Sequence, residues 1–388
     1  MPPIGTSLKA RVTQTDVARA AGVHNTTVSL ALRNSPSIPE STRKRIRAIA
    51  DELGYYPDPT LQALVAYRKG RMPKQQRDTL AYITNWNTRW GWRAVPAYER
   101  TYAGAQRKAA ALGYQLEHFW LGEPGMTQRR LSSVLYHRNI TGVLIASQSE
   151  DSAELSEIDW PRLSVVKIGC LPQSPLLHRV TDDHSGMARF AIRRVLAAGF
   201  ERVGLVMTKW WDEAADEAWS AGYFAEQSHL PPDTQIPFLA LAGSRQDWAS
   251  GHPAQPYSPE SMALAKWYED YQPDVVLAFS PIVLTQMNHL GLAVQQDVGY
   301  VDLSLECSDG SITGFRHNSE SIGEVAVATL VAQLQQNALG IPSVATTTLV
   351  GGTWFEGSSL PTLRLPSRWA EREKSCIERL ATAAALTA

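Results

Sequence analysis

Residues 12–64 read VTQTDVARAAGVHNTTVSLALRNSPSIPESTRKRIRAIADELGYYPDPTLQAL, and the punctuation of this stretch decides how the chain is organised. Thr13-Gln14-Thr15-Asp16 has the form of a capping box, in which the Thr13 hydroxyl accepts an early helix N–H and Asp16 reaches back. Val17, Ala18 and Ala21 recur at helical spacing until Gly22 breaks the helix, and Val23 follows as a buried turn residue. A second helix is predicted to start near His24-Asn25, with Val28, Ala31 and Leu32 on its inner face. After the loop at 33–37, a third helix runs from about Pro39 to Leu53, with Ile46, Ile49, Ala50 and Leu53 inward and Gly54 as its stop. Two short helices joined by a tight glycine turn, with a third in support, make a helix-turn-helix unit. So small a core is marginal alone and is expected to be tethered to a larger body.

Working outward, Asp58 is a good N-cap and Pro59 suits the first helical position, so a second short helical segment follows the head. Residues 70–78 (GRMPKQQRD) have the composition of an exposed linker. From Thr79 the pattern changes to apolar strands alternating with amphipathic helices. Strands are expected at Leu80–Thr84, Gln115–Leu121, Gly142–Ala146, Ser164–Ile168, Val203–Met207, Val275–Phe279 and Val298–Val301. The helices between them are expected at Tyr98–Leu112, Thr127–Tyr136, Gly186–Ala198, Glu213–Gln227, Pro259–Tyr271 and Val283–Leu290. This rhythm implies parallel sheets with helices on both faces. About 280 residues are long for one sheet, so two similar lobes with a cleft between them are predicted. The chain is thus read as multidomain: an all-α helix-turn-helix head at 10–56, a hinge helix at 57–69, a linker at 70–78, an α/β two-lobed body at 79–366 and a helical tail at 367–388.

The 388 residues carry 37 Lys+Arg and 38 Asp+Glu, but the charge is divided unequally. Residues 1–77 hold 13 basic against 5 acidic side chains, net +8; the remainder holds 24 against 33, net −9. A basic head on an acidic body suits a polyanion-binding unit that the body does not hold to itself. Cys170, Cys307 and Cys376 are far apart and odd in number, which fits a reducing cytoplasm rather than a disulfide framework. No apolar run approaches membrane-spanning length, and the first sixteen residues lack the apolar core of a secretory signal. Phosphate-loop, dinucleotide, zinc-protease and nucleophile-elbow motifs are missing from the sequence, so no catalytic residue, metal ligand or cofactor is expected.

Residues 12–64 closely resemble the DNA-binding head of the lactose-repressor (LacI/GalR) family. The resemblance is carried by V-T-x-x-D-V-A-x-x-A-G-V, by T-V-S at Thr27-Val28-Ser29, by Thr42-Arg43, and by E-L-G-Y-x-P followed by a short helix ending in Leu64. More weakly, Val180-x-Asp182-Asp183, the strand at Asp297–Val301, Ile312-Thr313-Gly314 and Gly352–Gly357 resemble landmarks of that family's effector domain, which has the periplasmic-binding-protein type I fold. The resemblance implies a transcription regulator, a repressor in most such proteins, that binds a near-palindromic double-stranded operator as a homodimer, with a tetramer left open.

Reading a major groove needs a helix whose first turn presents short polar or Arg side chains to base edges, and His24, Asn25, Thr26 and Thr27 occupy that end. The resemblance makes Asn25 and Thr26 the main base readers. Thr13, Thr15, Thr27, Ser29 and Asn34 suit phosphate contacts, which set register rather than sequence. Three positions depart from the family pattern: Leu30 stands where Arg is usual, Arg33 where Asn is usual, and His24 replaces a Ser cap. Loss of that cap is expected to weaken the second helix by ~1 kcal/mol. In the hinge, Leu61 and Leu64 are assigned to DNA, Leu64 matching the leucine that family members wedge into a minor-groove step.

For the body, Asn85-Trp86-Asn87-Thr88-Arg89-Trp90-Gly91-Trp92 follows the first strand and combines indoles with hydrogen-bonding groups. Trp86, Asn87, Arg89 and Trp90 are therefore candidates to stack against and bond a small carbohydrate-like effector, or else to pack on the lobe or a dimer partner. Asp182 and Asp183 keep acidic character at a family ligand position, or simply cap the next helix. Trp219 stands in place of the family's Arg, Ser280 in place of an Asn, and Asp302 is displaced from the usual Asp. The ligand is accordingly expected to differ from the family's usual sugars or to be absent, leaving a body that serves dimerisation or partner docking.

Overall fold

The computed structural model describes residues 13–32, 34–53, 55, 78–148, 155–170, 174–242, 258–279, 281–294, 298–306 and 309–360. The hinge helix expected at 57–69, nearly all of the 70–78 linker and the 367–388 tail lie outside the described residues, as do Arg33, Leu61, Leu64 and Ser280.

The head consists of α1 (Gln14–Ala21), α2 (Asn25–Leu32) and α3 (Glu40–Glu52). Both halves of the capping box at Thr13 and Asp16 form, and Gly22 takes the left-handed conformation (φ 66°) that the turn into α2 requires. Val17, Ala21, Val28, Ala31, Ile46 and Ala50 make the core between the three helices. Leu53, expected inside, is instead 39% exposed at the C-cap of α3.

The body has two α/β lobes. In the first, β1 (Thr79–Asn85), β2 (Gln115–Trp120), β3 (Gly142–Gln148), β4 (Ser164–Ile168), β5 (His178–Asp182) and β11 (Thr347–Val350) form a parallel sheet ordered β11-β5-β4-β3-β1-β2. α4 (Pro96–Ala111), α5 (Gln128–His137) and α11 (Ser319–Gln336) belong to this lobe. The second lobe orders β12-β10-β9-β8-β6-β7, with β6 (Val203–Thr208), β7 (Leu239–Leu241), β8 (Val275–Ala278), β9 (Gly299–Asp302), β10 (Thr313–Arg316) and β12 (Thr353–Phe355). Its helices are α6 (His184–Ala197), α7 (Lys209–Ala214), α8 (Ala218–Gln227), α9 (Pro259–Tyr271) and α10 (Pro281–His289). Among the described residues, the β10–β12 pair alone is antiparallel. Inner strands such as β3 and β8 are continuous apolar runs because helices cover both sheet faces.

The helix expected as one unit at Glu213–Gln227 is two. Asp216 and Glu217 both adopt positive φ (61° and 56°), and the buried Asp212 carboxylate accepts the Ser220 N–H at the start of α8. Capping by Asp212 compensates a break that helical periodicity does not reveal. Helix α11 and strands β5, β7, β10, β11 and β12 were not anticipated as elements.

Three crossings join the lobes: between β5 and α6, between β10 and α11, and between β11 and β12. They are laced together. Asp183 N–H donates to Val350 O (3.0 Å), Asn318 Nδ2 to Gly351 O (2.7 Å), and Thr353 Oγ1 to Asn318 Oδ1 (3.0 Å). No helix among the described residues is long and apolar enough to cross a membrane.

Candidate functional site

The head presents the first turn of α2 to solvent. His24, Asn25 and Thr26 are exposed, and Thr27, Ser29 and Leu30 are half-buried on the flank. His24 proves to be a competent cap. Its carbonyl accepts the N–H groups of Thr27 and Val28, and its ring Nδ1 accepts the Thr26 N–H at 3.3 Å. The weakening expected from the missing Ser is thus offset by imidazole. Because an N–H can only donate, Nδ1 must be unprotonated, which puts the ring proton on Nε2. Thr26 Oγ1 lies 3.0 Å from the same Nδ1, so its hydroxyl proton is drawn back toward His24. Asn25 then carries the uncommitted polar group of this turn. Thr13 and Thr15 are exposed at the start of α1, and Asn34 sits in left-handed conformation (φ 59°) in the turn after α2. Arg43, whose motif gave no hint of a role, clamps this turn by donating to the carbonyls of Asn34 (3.2 Å) and Ser35 (3.0 Å).

Between the lobes lies a cavity of about 150 Å³. Tyr98 of α4, Trp210 and Trp211 of α7, Trp219 of α8 and Phe279 supply aromatic walls, with the Trp211–Phe279 and Trp219–Phe279 ring centroids 5.1 and 5.4 Å apart. Arg100 of the first lobe meets Glu306 of the second at 2.9 Å on its rim. On its floor, at the crossings, lie Asp182, His184 and His317.

Of the effector candidates, Asp182 and Trp219 line this cavity. Asp183 does not: it caps α6 by accepting the Gly186 N–H (3.0 Å). The Trp86–Trp92 loop folds back on its own lobe, so Trp86, Asn87, Arg89 and Trp90 are not among the lining residues. Trp86 packs edge-on against Tyr98, Trp92 is buried against Tyr82, Tyr102 and His118, and Trp90 is held by Arg93 (4.5 Å) and His118 (4.7 Å). Packing was the stronger pull on these indoles. The sequence reading missed His184, His317, Trp210 and Trp211; the two tryptophans were visible as a pair but had no marked partner, and His317 is far from Asp182 along the chain.

Charge in the cavity floor is settled by the crossings. His317 Nε2–H donates to Leu303 O (3.0 Å) and its Nδ1–H to Asp182 Oδ1 (2.9 Å), a pattern that requires the cationic imidazole. Burial opposes that charge, but the Asp182 carboxylate outweighs it and raises the His317 pKa. Burial likewise pushes Asp182 up, and the His317 charge and hydrogen bond hold it below the ordinary value. Burial brings His184 down to about 4, leaving it neutral.

Asp302, the displaced acid, lies beneath the cavity, 7% exposed, where it accepts the Ser304 N–H at 2.7 Å. Burial raises its pKa to about 6 against the opposing Ser304 hydrogen bonds. A carboxyl raised in the folded state stabilises below its unfolded pKa, and that contribution is lost as pH rises through the folded one. Unfolding free energy should therefore fall between about pH 4 and 6 by roughly 2 kcal/mol on this account, at ~1.4 kcal/mol per unit. In Asp302→Asn, denaturant titrations across this range should show a slope flattened by that amount; an unchanged slope would exclude Asp302 as its source.

Residues 13–58 match the family model described as bacterial regulatory proteins, lacI family. The head therefore carries the signature of that family. Among curated lacI-type relatives, the HTH-type transcriptional regulator CelR of Thermobifida fusca is 26% identical over 201 residues, 51% of this chain and 56% of CelR. DegA of Bacillus subtilis is 25% identical over 196 residues, 50% and 54% of the two chains. Over the head alone, the probable repressor ExuR of Bacillus subtilis reaches 47% identity across 53 residues, 14% of this chain and 16% of ExuR. The chain thus spans about half the length of the curated relatives that it matches over both head and body. Solved structures extend the likeness in fold. A lac repressor dimer bound to operator and the anti-inducer ONPF aligns over 90% of this chain and 99% of its own at TM-score 0.52 and 16% identity. A CelR–cellobiose complex aligns over 90% and 100% at TM-score 0.54 and 19% identity. The two-lobed, periplasmic-binding-protein-like architecture expected of the family is the one this body has.

Proposed function

We propose that the protein is a sequence-specific DNA-binding transcription regulator, most simply a repressor, acting as a homodimer on a near-palindromic operator. The observation that carries this reading is the exposed first turn of α2, His24–Thr26, presented across a Gly22 turn by a packed three-helix head. That geometry offers short polar groups to base edges, while Thr13 and Thr15 at the start of α1 and Thr27 and Ser29 on the flank of α2 suit phosphates. A single head of this size makes too few contacts for useful discrimination, which is why two copies are needed. Arg33, Leu61 and Leu64 complete the DNA surface in this reading, with Leu64 as the minor-groove wedge and 57–69 as the hinge helix.

The interlobe cavity supports a small effector as the controlling signal. Its aromatic walls with polar groups at the rim and floor suit a neutral, carbohydrate-like ring, stacked on indole and bonded at its edges. The lobes would close on such a ligand about the three crossings, and a coupling of ~1–3 kcal/mol would be enough to alter operator affinity. The protein is read as a cytoplasmic regulator, not an enzyme. Selection of bound fragments from a random DNA pool tests the central claim: an inverted-repeat motif is expected, and enrichment of no motif would overturn it.

A further inference from the structure

The two crossings that flank the cavity floor bring together side chains that neither lobe holds alone. Asp182 ends β5, His184 opens α6 two residues later, and His317 lies on the return between β10 and α11. Asp182 Oδ1 is 2.9 Å from His317 Nδ1, Asp182 Oδ2 is 3.8 Å from His184 Nε2, and one donor atom from each residue falls within 4.8 Å of the others. We propose that Asp182, His184 and His317 form a binding site for a divalent transition-metal ion of the Zn²⁺ class, open to the interlobe cavity.

Two imidazoles and a carboxylate are the donor set that such ions take, and at bond lengths of ~2.0–2.2 Å in tetrahedral arrangement the donors stand roughly 3.3–3.6 Å apart. The observed 2.9 and 3.8 Å, measured to the two oxygens of the Asp182 carboxylate, lie on either side of that spacing, and the three donors stay within 4.8 Å of one another. A metal-bound histidine normally gives its second ring N–H to a carbonyl or carboxylate, which fixes the ring and the tautomer. His317 has this arrangement already: Nε2–H is bonded to Leu303 O at 3.0 Å, which leaves Nδ1 as the ligating atom. The ion would take the place of the proton between Nδ1 and Asp182.

A bare Asp182–His317 ion pair does not account for His184. Among the described residues, Asp182 Oδ2 at 3.8 Å is the acidic group within ion-pair range of its Nε2, and that separation is too long for a hydrogen bond. His184 is nonetheless held in place, its ring 4.9 Å from that of Trp219. The cavity on the other side supplies room for the fourth ligand that three-donor sites leave to water or a bound molecule.

The test uses the untagged full chain, stripped with chelator and titrated with ZnCl₂, or with CoCl₂ for its ligand-field spectrum. One Zn²⁺ per chain is expected to survive desalting, with a dissociation constant at or below the micromolar range and a Co²⁺ spectrum of four- or five-coordinate type. His184→Gln, which leaves the Asp182–His317 contact intact, should weaken binding at least 30-fold while the far-ultraviolet circular dichroism stays unchanged. The exposed His229→Gln should bind as the unaltered chain does. Retention of no ion, or equal affinity in His184→Gln, would overturn the proposal and leave the cluster a simple ion pair.

Discussion

Gly323→Ala should lower the melting temperature of the body by about 6–12 °C. Helices α4 and α11 cross with their backbones in contact at two glycines. A Cβ on Gly323 would press into the Thr101 carbonyl oxygen and stand 2.6 Å from Ala105 N; one on Gly104 would press into the Glu320 carbonyl oxygen and stand 2.7 Å from its carbon. Backbone atoms inside two helices cannot step aside singly, so the whole pair must separate. Alanine is the better helix former by ~1 kcal/mol, which works in the variant's favour. Overpacking of this kind costs ~1–3 kcal/mol or more, and here it is compounded by loosening a core shared by both helices. Tyr102, Ala105 and Ala109 of α4 pack there with Ile322, Ala326, Val327 and Leu330 of α11. A net loss near 3 kcal/mol, at ~2–4 °C per kcal/mol for units of this size, gives the stated shift. Calorimetry checks it, and an unchanged transition would mean that the helices part without cost. Because α11 begins next to His317, the same variant should also disturb the lacing of the crossings.

These glycines show what a linear reading does and does not yield. Gly22 was legible because its demand is local: a short apolar period stops, and the chain must turn. Gly104 and Gly323 sit in mid-helix, where their reason is a partner some 220 residues away in the chain. The same distinction separates elements found from elements missed. β1, β3 and β8 declare themselves as apolar runs covered on both faces, whereas β11 is an edge strand of the first sheet, with three exposed residues and no apolar signature. Helix α11 carries a legible stripe, at Ile322, Ala326 and Leu330.

The candidate cavity was harder still. Indoles near a strand end look alike in sequence whether they face a ligand or a core. In the Trp86–Trp92 loop, the side chains of Tyr82, Tyr102 and His118 offered a better surface than the cleft did. Asp182, His184 and His317 are brought together only by two crossings between lobes, a property of topology that no spacing encodes. In the head, by contrast, position along one helix is nearly position on the surface, so the residues of its exposed turn can be named from the sequence.

That assignment can be pressed to a number. Asn25→Ala is expected to reduce affinity for the selected operator about 10- to 100-fold while leaving non-specific affinity and head stability within a factor of two. Asn25 is exposed at the first position of α2, so truncating it removes no core contact. Helix formation at that end depends on His24, which supplies both the carbonyl and the ring acceptor, and alanine at 25 disturbs neither. A bidentate amide–adenine pair discriminates by ~1–3 kcal/mol, which is the expected loss. Thr26→Ala should cost less. Its hydroxyl proton is already turned to His24 Nδ1, which leaves the methyl and the oxygen's lone pairs to meet a base. Neither change removes a phosphate contact, so the slope of log affinity against log salt should match that of the unaltered protein. Equal losses on operator and random duplex, or a shallower slope, would place Asn25 on the backbone and move base recognition elsewhere on α2.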